Sequence, residues 1–474
     1  MFEYAPAPES TRPDIKEHYG LFIDGKFVEA EDGASFTSVN PADGRALFTV
    51  AEAGRADVEA AVDAARRAFE TVWGPMSGAE RGKYLFRIAR LLQERAREFA
   101  VAESIDNGKP IKETRDFDVP TAAQHFFYHA GWADKLDYAG LGADPRPLGV
   151  VGQVIPWNFP LLMLAWKIGP ALACGNTVVL KPAETTPLTA VMFAELCAEA
   201  ELPPGVVNIL PGAGATGAAL VHSPVDKVAF TGSTAVGREI AKAVAGTKKR
   251  LTLELGGKAA NIVYDDAALD QAVEGVVNGI FFNQGHVCCA GSRLLVQESI
   301  AAEVLDRLKD RVSTLRIGDP LDKNTDVGAI NSAEQLTRIQ ELTAAGTAEG
   351  AEPWQPECEL PEQGFWFRPT VFTEVQQSMR IAREEIFGPV LSVLTFRTPD
   401  EAVKKANNTP YGLSAGVWTE KGSKILWTAE RLRAGVVWAN TFNQFDAASP
   451  FGGVKESGYG REGGRQGLEA YLDV

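Results

Sequence analysis

Residues 148–180 form the most apolar stretch of the chain and carry a single charge, Lys167. That stretch has the length of a membrane span, but Pro156, Asn158, Pro160, Pro170 and the Gly175-Asn176 turn interrupt it, so it reads as a buried strand, a turn and a helix. The same alternation continues downstream. Strand-like 150–155 leads to a helix at 161–173, then strand 177–180, a helix from Pro187, strand 206–210, a helix at 215–222 and strand 227–230. Apolar strands alternating with helices predict a doubly wound parallel sheet, an α/β fold.

On the N-terminal side, 57–70 and 79–104 have helical spacing, and the second ends in the turn Asp106-Asn107-Gly108-Lys109-Pro110. Beyond Glu254 a second α/β unit begins with strand 261–264 and a helix N-capped by Asp265 or Asp266. A length of 474 residues suggests about three domains. The net charge of −15 argues against nucleic acid and anionic membrane as partners and favours a small ligand. The N-terminus has neither a basic nor an apolar leader segment, and the five cysteines (Cys174, Cys197, Cys288, Cys289, Cys358) show no metal-like spacing. The expectation is a cytoplasmic protein with reduced thiols and no metal.

Two residues suggest chemistry. Cys288, in Gly285-His286-Val287-Cys288-Cys289-Ala290-Gly291, supplies a thiolate nucleophile, and Glu254, in Leu253-Glu254-Leu255-Gly256-Gly257, supplies a base for water. Taken alone, they read more readily as a buried apolar residue and a turn carboxylate. A turn at Gly232-Ser233-Thr234-Ala235-Val236-Gly237 opens a helix at 238–244, where free backbone N–H groups suit a pyrophosphate.

These features keep company with Pro156-Trp157-Asn158-Phe159-Pro160, Lys181-Pro182-Ala183-Glu184, Phe230-Thr231-Gly232-Ser233-Thr234, Glu384-Glu385-Ile386-Phe387-Gly388-Pro389 and Ser449-Pro450-Phe451-Gly452-Gly453. In this order the chain resembles the aldehyde dehydrogenase superfamily from about Leu21 onward. The resemblance implies a variant Rossmann cofactor domain (1–132 and 147–255), an α/β catalytic domain (256–456) and a shortened bridging, oligomerisation element (133–146 and 457–474). It implies an NAD site built from Ile155, Pro156, Trp157, Lys181, Glu184, Gly212, Gly232, Ser233, Gly237, Leu255, Glu385 and Phe387. Glu184 would accept from ribose hydroxyls and repel a 2′-phosphate, which favours NAD while leaving NADP open. Phe159, Trp166, Phe445 and Phe451 match walls of the substrate tunnel, and Asn440 matches a supporting asparagine.

The implied reaction is attack of Cys288 on an aldehyde, with the side-chain amide of Asn158 and the backbone N–H of Cys288 stabilising the oxyanion. Oxidation leaves a thioester, and water activated by Glu254 releases the acid. A CoA-acylating semialdehyde oxidation and a non-catalytic interaction domain are the alternatives, and aliphatic, aromatic and amino aldehydes all stay open as substrates.

Two departures stand out. His286 occupies a position where relatives commonly have Gln; the imidazole either tunes the thiol or replaces the amide. The segment before Gly149 and the tail at Val474 are short beside those of relatives, which predicts a homodimer, with a monomer as the alternative, rather than a larger assembly. With His129-Ala130-Gly131-Trp132-Ala133-Asp134-Lys135, they also match a branch in which a second, degenerate domain follows the first.

Overall fold

The computed structural model describes residues 4–142 and 144–474; residues 1–3 and 143, which fall in the expected cofactor-domain and bridging spans, lie outside the described residues. Two open sheets with helices on their faces carry an α/β fold. The eight-stranded sheet runs in the order Gly458–Tyr459, Arg250–Glu254, Lys227–Thr231, Val150–Val154, Thr177–Lys181, Val207–Ile209, Leu21–Ile23, Lys26–Val28. Its five central strands are parallel. Val150–Val154, Thr177–Lys181 and Lys227–Thr231 are buried throughout, as strands covered on both faces must be. The chain moves outward from Val150–Val154 to Val207–Ile209, then returns to the other side at Lys227–Thr231. This reversal is a topological switch point, and the turns at Pro156 and Gly232 leave the sheet beside it.

The seven-stranded sheet runs Glu352–Trp354, Thr370–Thr373, Val390–Phe396, Arg293–Gln297, Ala260–Val263, Ser414–Trp418, Val436–Ala439, and is parallel apart from its first pair. The chain crosses from one sheet to the other between Glu254 and Ala260.

Helix Pro160–Ala173 is buried along its whole length. Each large apolar side chain it buries contributes about 1.5–3 kcal/mol, and its one charge, Lys167, is neutralised by an ion pair with Glu462. The tail closes over this helix. Asn176 Nδ2 donates to Tyr471 O at 2.9 Å, and Leu472–Asp473 pairs antiparallel with Arg146–Pro147.

Two expected elements differ. The helix anticipated at 79–104 is two helices, Gly78–Glu94 and Ala96–Asn107, broken at Arg95 (φ −95°, ψ 13°). The Arg95 guanidinium is drawn into a forked pair with Glu98, with Nε and Nη2 each at 2.9 Å from a carboxylate oxygen. Helix Leu269–Phe281 has no side-chain cap at all. Asp266 instead accepts from Thr419 Oγ1 at 2.6 Å and Lys424 Nζ at 3.0 Å, so its carboxylate is committed to another loop.

Candidate active site

A cavity of about 440 Å³ opens at the switch point, between the two sheets. Its lining includes Pro156, Trp157, Asn158, Phe159, Trp166, Gly232, Ser233, Glu254, Leu255, Cys288, Glu385, Phe387, Phe445 and Phe451, all singled out in the sequence. It also includes residues the sequence did not mark, among them Phe117, Gln335, Arg338, Tyr411 and Glu462. Ile155, Lys181, Glu184, Gly212 and Gly237 do not line it.

Glu254 ends its strand, with its backbone carbonyl accepting from Gly232 N–H at 3.0 Å. The carboxylate is buried, and neither oxygen has a hydrogen-bond partner among the described residues. Burial, then the nearby Glu462 charge, push its pKa well above the ordinary value of 4.5. The next two residues must be small. A Cβ on Gly256 would collide with the Glu385 carboxylate, and one on Gly257 with the carbonyl of Cys288. This close approach brings Glu254, Cys288 and Glu385 together, and Gly257 N–H donates to Glu385 Oε1 at 2.9 Å.

Cys288 is partly exposed in the cavity. A hydrogen bond with the Cys289 side chain, then burial, raise its thiol well above the usual range. Cys289 is buried, 3.8 Å from Asn443 Oδ1. The backbone N–H of Cys288 makes no hydrogen bond among the described residues, and the Asn158 amide donates to His286 O at 2.8 Å. An amide nitrogen with two protons keeps one free after such a bond, so two N–H groups are available for an oxyanion.

His286 is fully buried, and neither ring nitrogen has a partner among the described residues. Its ring lies 4.8 Å from Trp157, edge to face, and 5.9 Å from Phe387, nearly parallel. Burial lowers its pKa to about 3, which keeps the ring neutral. The imidazole therefore packs as an aromatic and does not hydrogen-bond in the place of an amide. Phe387 has φ 56°, and Gln335 Nε2 holds this turn through Ile386 O at 3.1 Å and Phe387 O at 2.8 Å.

The walls away from Cys288 are aromatic. Phe445 lies 5.8 Å from Phe117, 6.2 Å from Trp166 and 5.6 Å from Phe451, and Phe159 lies 6.4 Å from Phe117. Phe117 sits in a π-helical turn, Thr114–Asp118, which no sequence signal marks. Asn440 is off the cavity; its side chain bridges Thr419 N–H and Thr419 O, each at 3.0 Å.

A second cluster lies at the end of Thr177–Lys181. Lys181 Nζ donates to Gly212 O at 2.5 Å and Pro182 O at 2.8 Å and lies 3.5 Å from Glu184 Oε2. Half of the Glu184 side chain is exposed. Ile155 N–H donates to Lys181 O, and Gly237 lets helix Thr234–Val244 close on Leu255, with which a Cβ would collide. Ser233 caps that helix by accepting from Val236 N–H at 3.3 Å, while Thr231 Oγ1 and Thr234 Oγ1 are buried without a partner among the described residues. A helix N-terminus, orphaned hydroxyls and carboxylates at Glu184 and Glu385 are donors and acceptors of the kind that fit a dinucleotide.

The chain is similar to known proteins along nearly its whole length. The sequence model of the aldehyde dehydrogenase family matches residues 27–474. DhaS of Bacillus subtilis is 48% identical over 96% of this chain and 94% of its own length. Human retinal dehydrogenase 2 is 46% identical over 98% of this chain and 92% of its own. The NAD+ complex of an aldehyde dehydrogenase from Bacillus cereus superposes with a TM-score of 0.94 at 42% identity, covering 98% of each chain.

Proposed function

The chain belongs to the aldehyde dehydrogenase family, and from that premise we propose a mechanism in which Cys288, Glu254 and Asn158 oxidise an aldehyde to its acid. It is an oxidoreductase that works with NAD. The observation that carries the mechanism is the buried Glu254 carboxylate, without a partner among the described residues, sharing one cavity with the Cys288 thiol.

The raised pKa of Cys288 means that its proton must leave, to solvent, before attack, so that Glu254 stays free to act on water in the later step. The thiolate adds to the carbonyl carbon, and Asn158 Nδ2 and the Cys288 N–H meet the oxyanion. The Ser233 helix terminus and Glu385 would hold NAD, which when bound would supply the hydride acceptor that makes this addition an oxidation and leaves a thioester. The thioester left on Cys288 is cleaved by water that gives a proton to Glu254, and the acid leaves.

Lys181 is already spent on two carbonyls, which leaves Glu184 to face the ribose and supports NAD over NADP. The ring walls of Phe117, Phe159, Trp166, Phe445 and Phe451 suit an apolar aldehyde. Among the described residues no helix is long and apolar enough to cross a membrane. We assign the division into cofactor, catalytic and bridging parts at the crossing after Glu254, a homodimeric assembly, and a cytoplasmic setting supported by five unpaired cysteines. The experiment is NADH formation by the purified protein across an aldehyde panel, with and without CoA. Turnover without CoA is expected, best with aryl and long-chain aldehydes; strict dependence on CoA would favour the acylating alternative.

A further inference from the structure

The turn carrying the nucleophile holds an unusual backbone. Asn283 (φ 48°), Gln284 (φ 52°) and Gly285 (φ 74°) are three successive left-handed residues. Such a run persists only where its surroundings fix it. At Gly285 a Cβ would collide with the carbonyl of Gly388, so glycine is required. Gln284 is held by donation from Nε2 to Ala329 O at 3.0 Å.

Asn283 does more than hold its own turn. Its backbone N–H donates to Glu113 Oε2 at 3.0 Å, and its Nδ2 donates to Asn158 O at 2.8 Å. Asn158 Nδ2 reaches back to His286 O, and His286 N–H closes the ring on Asn283 O, both at 2.8 Å. Every member of this ring is buried. One buried charge cluster stands behind both sides. Lys109 Nζ lies 2.6 Å from Asp118 Oδ2 and 3.8 Å from Glu103 Oε1. Glu103 Oε2 accepts from Leu161 N–H at 3.1 Å on the Asn158 side, while Glu113 grips Asn283 on the Cys288 side.

We infer that Asn283 is a positioning residue: its side-chain amide ties the Asn158 loop to the nucleophile turn and so sets the separation of the two oxyanion donors, Asn158 Nδ2 and the Cys288 N–H. The inference rests on the mechanism proposed above. Asn283 Oδ1 has no partner among the described residues, so the donor half of the amide carries the role.

The test uses Asn283→Gly, which tolerates the left-handed backbone while losing the side chain, and Asn283→Asp, which keeps the shape but cannot donate. Each is measured alone and with Asn158→Ala for kcat and KM, NAD binding, melting temperature and cofactor-free hydrolysis of p-nitrophenyl acetate. Ester attack by the thiolate needs the same oxyanion donors but no nicotinamide. We expect kcat to fall roughly 10²-fold in both single variants, the scale of an ångström-sized misplacement. Ester hydrolysis should fall in parallel while NAD binding and melting temperature hold. In the Asn158→Ala background the Asn283 substitutions should lose most of their effect, because they act through that residue. Full additivity, an unchanged kcat, or collapse of the fold in both variants would overturn the inference. Asn158→Ala with an undiminished kcat would sink the underlying mechanism instead, whereas its expected loss of about 10²–10³ beside an inert Asn283→Gly would sink the positioning role alone.

Discussion

Glu254 and Glu184 are the same side chain in two solvents. Glu254 is buried in the cavity with both oxygens unpaired among the described residues, whereas Glu184 is half exposed and lies 3.5 Å from Lys181. Two unit charges 4 Å apart interact by about 1 kcal/mol in water and about 4 kcal/mol at the effective dielectric of a protein surface. Burial first, and the Glu462 charge second, favour the protonated form of Glu254, while the exposed Glu184 stays open as a hydrogen-bond acceptor for a polar ligand. Position in the fold, and not residue type, divides the two roles.

That contrast predicts effects of very different size. The largest belongs to Cys288→Ala, which should abolish dehydrogenase turnover while NAD binding, measured by fluorescence quenching, stays near wild type. Cys289→Ala should keep substantial activity; equal loss in both would mean that the effect is structural.

Glu254→Gln comes next. The thioester should still form, so rapid mixing should show an NADH burst near one per site followed by slow turnover. The pH dependence has a definite sign. Glu254 acts on water only when ionised and its pKa is raised, so thioester hydrolysis should rise with pH through a value well above 4.5 and be lost below it. Stability should run the other way. The folded state holds this proton more tightly than the unfolded chain, so its contribution is complete below about pH 4.5 and is lost as pH rises through the raised value. Glu254→Gln should accordingly flatten the fall in melting temperature toward alkaline pH.

The smallest effect is expected on the wet side. Glu184→Gln should leave kcat with NAD almost unchanged and narrow the gap in kcat/KM between NAD and NADP by no more than about tenfold, the scale of a screened surface charge. A large loss of kcat there would break the contrast between the two glutamates.

The parts of the cavity legible in the sequence are those whose chemistry is local. Asn158 and Glu254 sit in short motifs at strand ends, and the elements from Val150 to Thr231 follow from apolar periodicity, with boundaries a residue or a few away from those observed. Phe117, Gln335 and Glu462 reach the cavity from a π-helical turn, a helix face and the C-terminal segment, and only tertiary packing brings them there. Arg95 and Asp266 mislead for the opposite reason. Each has a local preference, for helix continuation and for capping, that a remote or forked ion pair overrides.

Helix Pro160–Ala173 is apolar on every side, and several of its partners come from the far end of the chain: Glu462 for Lys167, the Leu468 carbonyl for the Cys174 thiol that follows the helix, and Tyr471 O for Asn176. On a ribosome these residues emerge hundreds of codons after the helix does. Until they arrive, the nascent chain carries a greasy rod with an uncompensated lysine, and a lone member of a buried pair costs about 3–5 kcal/mol. The segment from Glu462 to Asp473 thus acts as a latch on the first sheet, and a chain cut before it would hold most of the cavity's side chains yet present itself to chaperones as unfinished.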